Sequence, residues 1–336
     1  MNKTVSIIVP TYNGSKTVSK TIDSLLGQTL EGIEIILTDD CSSDNTKEII
    51  DEYCQKYPGR IISNPMKVNT RGSGLINSSV GIAKGKYIAI VDQDDWADLT
   101  MFEKLYNAAE REDAEIADCN CSIVDSEGNL IKVVISNSED QIGRIDIKKR
   151  KTLFVTPGWR LTKIFRRDFL LKNNIEHCDG VCFGDNYFSE HVVAYCSRIA
   201  KVKEPLYNYR VDTVSITRSF NNPILYDRVK SAELMIESLK KRGFLNNDYK
   251  TEIEFRFIEL FYINSIGTFL SRFRPPDIKE LYYLRNKIKN EYPTYRKNPY
   301  FKQRITSKKK LICLLNDISP KLLCGCYLLW KRIKPN

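Results

Sequence analysis

The chain has 336 residues, 42% hydrophobic and 28% charged, which are the proportions of a globular protein and exclude a disordered, collagenous or membrane-embedded one. No apolar run reaches the roughly 18 residues of a membrane span, and MNKTVSIIVP enters a strand pattern without a secretory signal, so a cytosolic location is expected. The net charge of +10 is uneven: residues 271–336 carry 17 Lys and Arg against 4 Asp and Glu.

VSIIVP (Val5 to Pro10) reads as an apolar strand, and after TYNGS the spacing of Val18, Ile22, Leu25 and Leu26 predicts an amphipathic helix. EIILTDD predicts a second strand. CSSDNTKEIIDEYCQKY predicts a helix, with N-cap chemistry from Ser42, Ser43 and Asp44. RIIS is a third strand, GLINSSVGIAKG a short helix and YIAIV a fourth strand, with a further helix beginning near Leu99. Strands alternating with helices predict a mostly parallel sheet covered on both faces.

Ligands of such sheets bind beyond the carboxyl ends of the strands, where Asp39 and Asp40 end one strand and Asp92, Asp94 and Asp95 end another. No G-x-G-x-x-G follows the first strand and no Walker-type GK[ST] occurs, so the usual phosphate cradles are lacking. Three carboxylates in the four positions of DQDD leave two readings: a solvated turn capping the next helix, or oxygen ligands for a divalent cation. Ten cysteines without an export signal read as reduced thiols. His177, Cys178, Cys182 and His191 lack the spacing of common zinc modules, and Cys119 and Cys121 alternate like residues on one strand face.

The ordered set SIIVPTYNG, EIILTDDCSSDNT and GLINSSVGIAKGKYIAIVDQDDW resembles the nucleotide-sugar-binding half of family 2 glycosyltransferases of the bacterial polysaccharide-building type. The likeness continues more loosely through PGWRLTKIFRRDFLLKNNI and FGDNYF to KEPLYNYRVDTVSIT. It implies a GT-A fold, a Rossmann-like α/β sheet flanked by helices, over residues 1–220, with a nucleotide-sugar half to about 125 and an acceptor half from 126. A helical, basic region would follow over 221–336.

The same resemblance implies roles. Pro10 and Tyr12 would border the nucleotide base, Asp40 would accept from a uracil-type ring N–H, and Arg71 would lie near the nucleotide. Cys41 stands where the family usually has Gly. Asp92-Gln93-Asp94 matches the D-x-D motif, with Asp94 on Mn²⁺ or Mg²⁺ and Asp92 on the ribose or a metal-bound water. Asp185 matches the catalytic base and also suits a helix cap. Trp159 and Lys163 resemble acceptor-side residues, though a lone Trp is as often core, and Arg210 and Ser215 lie in a segment that closes over the diphosphate or is a plain surface loop.

The activity implied is inverting, metal-dependent sugar transfer from a nucleoside diphosphate donor, with UDP favoured, to a growing surface glycan or a polyprenyl-diphosphate-linked saccharide. A non-catalytic sugar-nucleotide or glycan-binding scaffold would lack the base or the metal aspartates, and this chain has both. A nucleotidyltransferase would carry a Gly-rich N-terminal loop, which is missing here.

From about Pro223 the pattern changes to long helices, ending in KKKLICLLNDISPKLLCGCYLLWKRIK. Its apolar runs are too short to span a bilayer, and the basic flanks suit an anionic membrane surface, which would place the protein on the inner face of the cell membrane. Docking on the protein's own helices is the second reading. Nucleic acid is the third, and it leaves LLCGCYLLW unexplained.

Overall fold

VSIIVPT forms β1 (Val5–Thr11), in which Val5 to Val9 are all inaccessible, as expected of a strand covered on both faces. The computed structural model describes residues 3–211, 219–246 and 248–333 and divides the chain into two compact units, Met1–Asp212 and Thr213–Asn336. After β1 come α1 (Val18–Leu26), β2 (Glu34–Asp39), α2 (Thr46–Lys56), β3 (Ile61–Ser63), α3 (Ser73–Ile82) and β4 (Tyr87–Ile90). Helix α1 turns Val18, Ile22 and Leu25 inward, the stripe its spacing predicts.

The four strands lie in the order β3-β2-β1-β4, all parallel. The chain leaves β1 towards β2 on one side and returns as β4 on the other, so a crevice opens at the carboxyl ends of these strands. A buried link fixes the far end: Glu34 Oε1 accepts from the Ser6 hydroxyl and from Lys84 N–H, and Gly85 N–H donates to Ser6 Oγ. A Cβ on Gly85 would lie 2.3 Å from Ser6 N, so the backbone approach there requires glycine.

Beyond β4 the unit continues through β5 (Trp96–Ala97), α4 (Met101–Glu112), β6 (Ile116–Val124), β7 (Leu130–Val134), β8 (Gly143–Arg144), α5 (Ile147–Val155), β9 (Lys163–Arg166), α6 (Arg167–Lys172), α7 (Gly184–Tyr195) and β10 (Arg198–Arg210). This half is mixed. Strand β9 runs antiparallel to both β4 and β6, while β10 runs parallel to β6. The regular alternation is interrupted after α4, where the Asp125–Gly128 turn folds β7 back on β6 as a hairpin, which makes that pair antiparallel. The result is an α/β Rossmann-like domain of the GT-A type. Cys119 and Cys121 lie buried on β6, and none of the ten cysteines forms a disulfide.

The second unit is helical: α8 (Asp227–Lys241), α9 (Lys250–Phe257), a π-helical stretch over Ile258–Asn264, α10 (Ser265–Ser271), α11 (Ile278–Glu291), α12 (Pro299–Arg304), α13 (Ser307–Ile318) and α14 (Pro320–Ile333). Its interior is aromatic, with Phe257 stacked on Phe261 at 4.9 Å and Tyr262 edge-on to Tyr295. Asp317 of α13 accepts from the hydroxyls of Tyr262 and Tyr295 and from Arg296, so the basic tail is docked on its own unit. Its inner face buries Cys313, Asn316, Leu323 and Cys324, while Leu311, Leu314, Ile318, Leu322, Leu329 and Ile333 stay exposed. Among the described residues no helix is long and apolar enough to cross a membrane.

Candidate active site

Strand β4 ends in the acidic turn, which sends its three carboxylates to different environments. Asp95 points into the protein, where Oδ2 accepts from the Tyr207 hydroxyl at 2.6 Å and Oδ1 from Arg210 N–H at 2.9 Å. Burial raises its pKa well above the usual carboxylate value, and the charges of Asp92 and Asp94 push the same way. Asp94 is exposed, and Asp92 keeps a third of its side chain open to the crevice. Burial raises the Asp92 pKa too; Arg160 opposes the shift, and Asp94 and Asp185 add to it. Between them Gln93 turns back to β1: its Oε1 accepts from Tyr12 N–H at 2.9 Å and its Nε2 donates to Tyr12 O at 3.0 Å. A Cβ on Gly14 would sit 2.1 Å from Gln93 Oε1, so this contact requires the glycine of TYNG.

The crevice holds about 220 Å³ and gathers Pro10, Arg71, Asp92 and Asp185 from the expected site residues. Two residues not expected from sequence join them. Arg160 donates through Nη2 to Asp92 Oδ1 at 3.3 Å and lies 3.2 Å from His177 Nε2 through Nη1. A guanidinium only donates, so His177 accepts at Nε2 and is assigned its proton on Nδ1. Burial holds the His177 pKa well below its ordinary value, and Arg160 lowers it further. The ring stacks on Phe188 at 4.3 Å, and its backbone is clasped by Asn77 of α3, which accepts from His177 N–H and donates to His177 O.

Asp185 lies exposed in the first turn of α7, where a helix N-terminus favours negative charge. The preceding Phe183 adopts φ +64°, and a Cβ on Gly184 would meet Ser73 Oγ at 2.4 Å. Ser73 in turn donates to Val181 O, so α3 fixes the loop that presents Asp185.

Asp40 is only 2% exposed. Its Oδ1 accepts from Thr70 N–H and the Thr70 hydroxyl, and Oδ2 from Gly72 N–H at 3.2 Å, which ties the loop bearing Arg71 to the end of β2. One acceptor position remains on Oδ2. Cys41 takes φ +65°, a left-handed conformation that glycine adopts without strain. Tyr12 is exposed beside the Gln93 link.

On the other side, Trp159 is half-buried and edge-on to Tyr209 at 5.4 Å. Arg210 ends β10 with its N–H on Asp95, and Ser215 lies outside the described residues. Lys163 corrects the sequence reading. It is 4% exposed and bonds Asp118 Oδ1, so its ammonium group faces the interior and lines no acceptor surface. Lys201 holds the other Asp118 oxygen. Burial acts to raise the Asp118 pKa, and the two ammonium groups outweigh it and hold the value low.

Among the described residues no three His, Cys, Asp or Glu side chains converge as a metal cage. Asp92 and Asp94 nevertheless offer carboxylate oxygens from one turn, which suits a cation sharing one or two carboxylates with substrate phosphates.

The profile of glycosyl transferase family 2 matches residues 6–186, more than half of the chain. The chain belongs to this family. It is 29% identical to the uncharacterized glycosyltransferase YibD of Escherichia coli over 65% of each chain. It is 31% identical to the glycosyltransferase GlyG of Streptococcus pneumoniae over 65% of this chain and 74% of the relative. The structure superposes on residues 1–349 of TarS from S. aureus in complex with UDP-GlcNAc with a TM-score of 0.67 and 17% identity, covering 98% of this chain and 92% of that one. The last likeness is one of fold, and it extends through the helical unit. Family membership makes the chain an enzyme of sugar transfer.

Proposed function

We propose that the protein is an inverting, metal-dependent glycosyltransferase that moves a sugar from a nucleoside diphosphate donor to a hydroxyl of a bacterial surface glycan. The observation that carries this reading is the single crevice lined by Arg71, Asp92, Arg160 and Asp185 at the carboxyl ends of β1 and β4. Pro10 and Tyr12 border the base, and the remaining acceptor position on Asp40 suits a uracil ring N–H, so a UDP-sugar is the favoured donor. Asp92 takes the ribose, and Arg71 supplies a cationic donor to the phosphates. Mn²⁺ or Mg²⁺, bound through Asp94 and the diphosphate, would supply neutralisation of the leaving group.

Asp185 accepts the proton of the acceptor hydroxyl as its oxygen bonds to the anomeric carbon and the carbon–diphosphate bond breaks. Attack opposite the leaving group inverts the anomeric centre. Trp159 offers an aromatic face to the acceptor sugar, with Arg210 nearby in β10. A polyprenyl-diphosphate-linked saccharide suits the acceptor role, because the exposed apolar stripes of α13 and α14 are flanked by Lys308, Lys309, Lys310, Lys321, Lys331 and Arg332, a surface suited to an anionic bilayer. This reading sets the enzyme peripherally on the inner membrane face.

A donor screen read by released nucleotide tests the reaction, with Asp185→Asn as control. We expect metal-dependent turnover that the variant loses while UDP binding by calorimetry persists. Binding of donor without turnover by the unmutated chain would overturn the catalytic reading.

A further inference from the structure

The cluster that removes Lys163 from the acceptor surface is saturated. Asp118 Oδ1 accepts from Lys163 and the Thr162 hydroxyl, and Oδ2 from Lys201 and Asn137 N–H, which uses all four lone-pair positions of the carboxylate. Lys163 likewise has an acceptor for each of its three protons: Asp118 at 2.8 Å, Ser136 Oγ at 2.9 Å and Trp159 O at 2.9 Å. The Thr162 hydroxyl lies 2.9 Å from Trp159 O, and Trp159 N–H donates to Ser136 Oγ at 3.0 Å. Both backbone polar groups of Trp159 thus end on this one cluster.

Trp159 directly precedes Arg160. Lys163, at the start of β9, stands directly opposite Asp118 of β6 in the antiparallel register. Strand β9 also pairs with β4, the strand that ends in the acidic turn. The chain enters the turn through Gly158 at φ +76°, where a Cβ would lie 2.5 Å from Asn137 Oδ1 and 2.7 Å from Lys163 Nζ. The backbone therefore runs close against the ionic cluster, in a left-handed conformation that favours glycine.

Buried ionic clusters add little net stability compared with apolar residues of the same volume. This one holds two lysines to a single carboxylate, a poor arrangement if stability were its only purpose. We infer that Lys163 is a positioning residue of the crevice: through Asp118, Ser136 and the backbone of Trp159 it holds Arg160 against Asp92 and His177. The inference rests on the proposed crevice and adds to it a support built on β6 and β9.

The test is a mutant cycle in the full-length chain. Lys163→Met leaves Asp118 neutralised by Lys201 and takes away the bond to Trp159 O. We expect its crystal structure to show Arg160 gone from Asp92, and its kcat/KM for the donor to fall about tenfold to a hundredfold, the usual cost of a misplaced site group. In an Arg160→Met background the same substitution should have no further effect. A second variant, Ser136→Ala, removes the acceptor of Trp159 N–H together with one acceptor of Lys163 and the bond to Thr162, while keeping the Lys163–Asp118 pair, and should behave the same way, so it decides the matter if Lys163→Met does not fold.

Arg160 in its original place in both variants, or losses that multiply with Arg160→Met, would overturn the inference. The crystallographic readout stands whether or not the chain turns over a donor. Failure of the catalytic reading is therefore distinguishable from failure of this one.

Discussion

Tyr207 donates its hydroxyl proton to Asp95 at 2.6 Å and accepts the N–H of Asp92 at 3.3 Å, so one phenol of β10 joins the inward and crevice-facing ends of the acidic turn. The ring is wholly buried, and the Asp95 carboxylate has one other hydrogen-bond partner, the N–H of Arg210. Tyr207→Phe keeps the packing and leaves a buried carboxylate oxygen unsatisfied, which costs about 1–3 kcal/mol. Urea denaturation should show a lower midpoint with an unchanged slope. An unaltered midpoint would mean that the hydroxyl does not support the turn.

The second prediction concerns acid. His177 is folded as the neutral ring, with its pKa well below 6.5, so between 6.5 and the folded value the unfolded chain binds more protons than the native one. Stability therefore rises with pH through that window and is lost as pH falls below 6.5, by up to about 1.4 kcal/mol per pH unit for one proton. His177→Gln retains an acceptor for Arg160 and removes the titration. Melting curves between pH 7.5 and 5 should be flatter for the variant. Equal pH dependence in the two proteins would refute this account of His177.

Asp94→Ala should leave the fold intact and lower turnover by roughly a hundredfold or more, the scale of a lost electrostatic contribution to leaving-group departure. Chelation by EDTA should reproduce the loss in the unmutated protein and be reversed by added Mn²⁺ or Mg²⁺. Full activity in EDTA would return DQDD to the role of a capped turn.

Membrane attachment is best tested without removing the tail, because Asp317 anchors α13 through Tyr262, Tyr295 and Arg296. Replacing the exposed Leu322, Leu329 and Ile333 together by Ser spares the buried face. We expect the unmutated chain to sediment with anionic liposomes, to be weakened but not released by high salt, and to be released by the triple substitution. The salt-sensitive share is about 1 kcal/mol for each basic residue near the surface. Unmutated protein that stays in the supernatant at low salt would refute the reading.

Strands β1, β2 and β4 were legible because a strand buried on both faces is apolar throughout, and α1 because one stripe is. The crevice-side carboxylates were legible as strand-end residues. Arg160 was not: its partners Asp92 and His177 lie 68 and 17 positions away, and a lone Arg between Trp159 and Lys163 carries no periodic signal. Lys163, placed on the acceptor side by the resemblance, gives no sign of its burial in the sequence, since its partner Asp118 is 45 positions distant and lysines are ordinarily exposed. Strand β7 escaped notice because most of its residues are exposed, which erases the alternation that marks a half-buried strand.

The Gln93 side chain behaves as a detached peptide group, offering one acceptor and one donor to the main chain of Tyr12 just past the end of β1. Glutamate has the same shape, yet it would set an oxygen against the Tyr12 carbonyl; asparagine has the right chemistry and falls one methylene short. In this chain the middle letter of D-x-D is consequently prescribed by the polarity of a backbone it never joins.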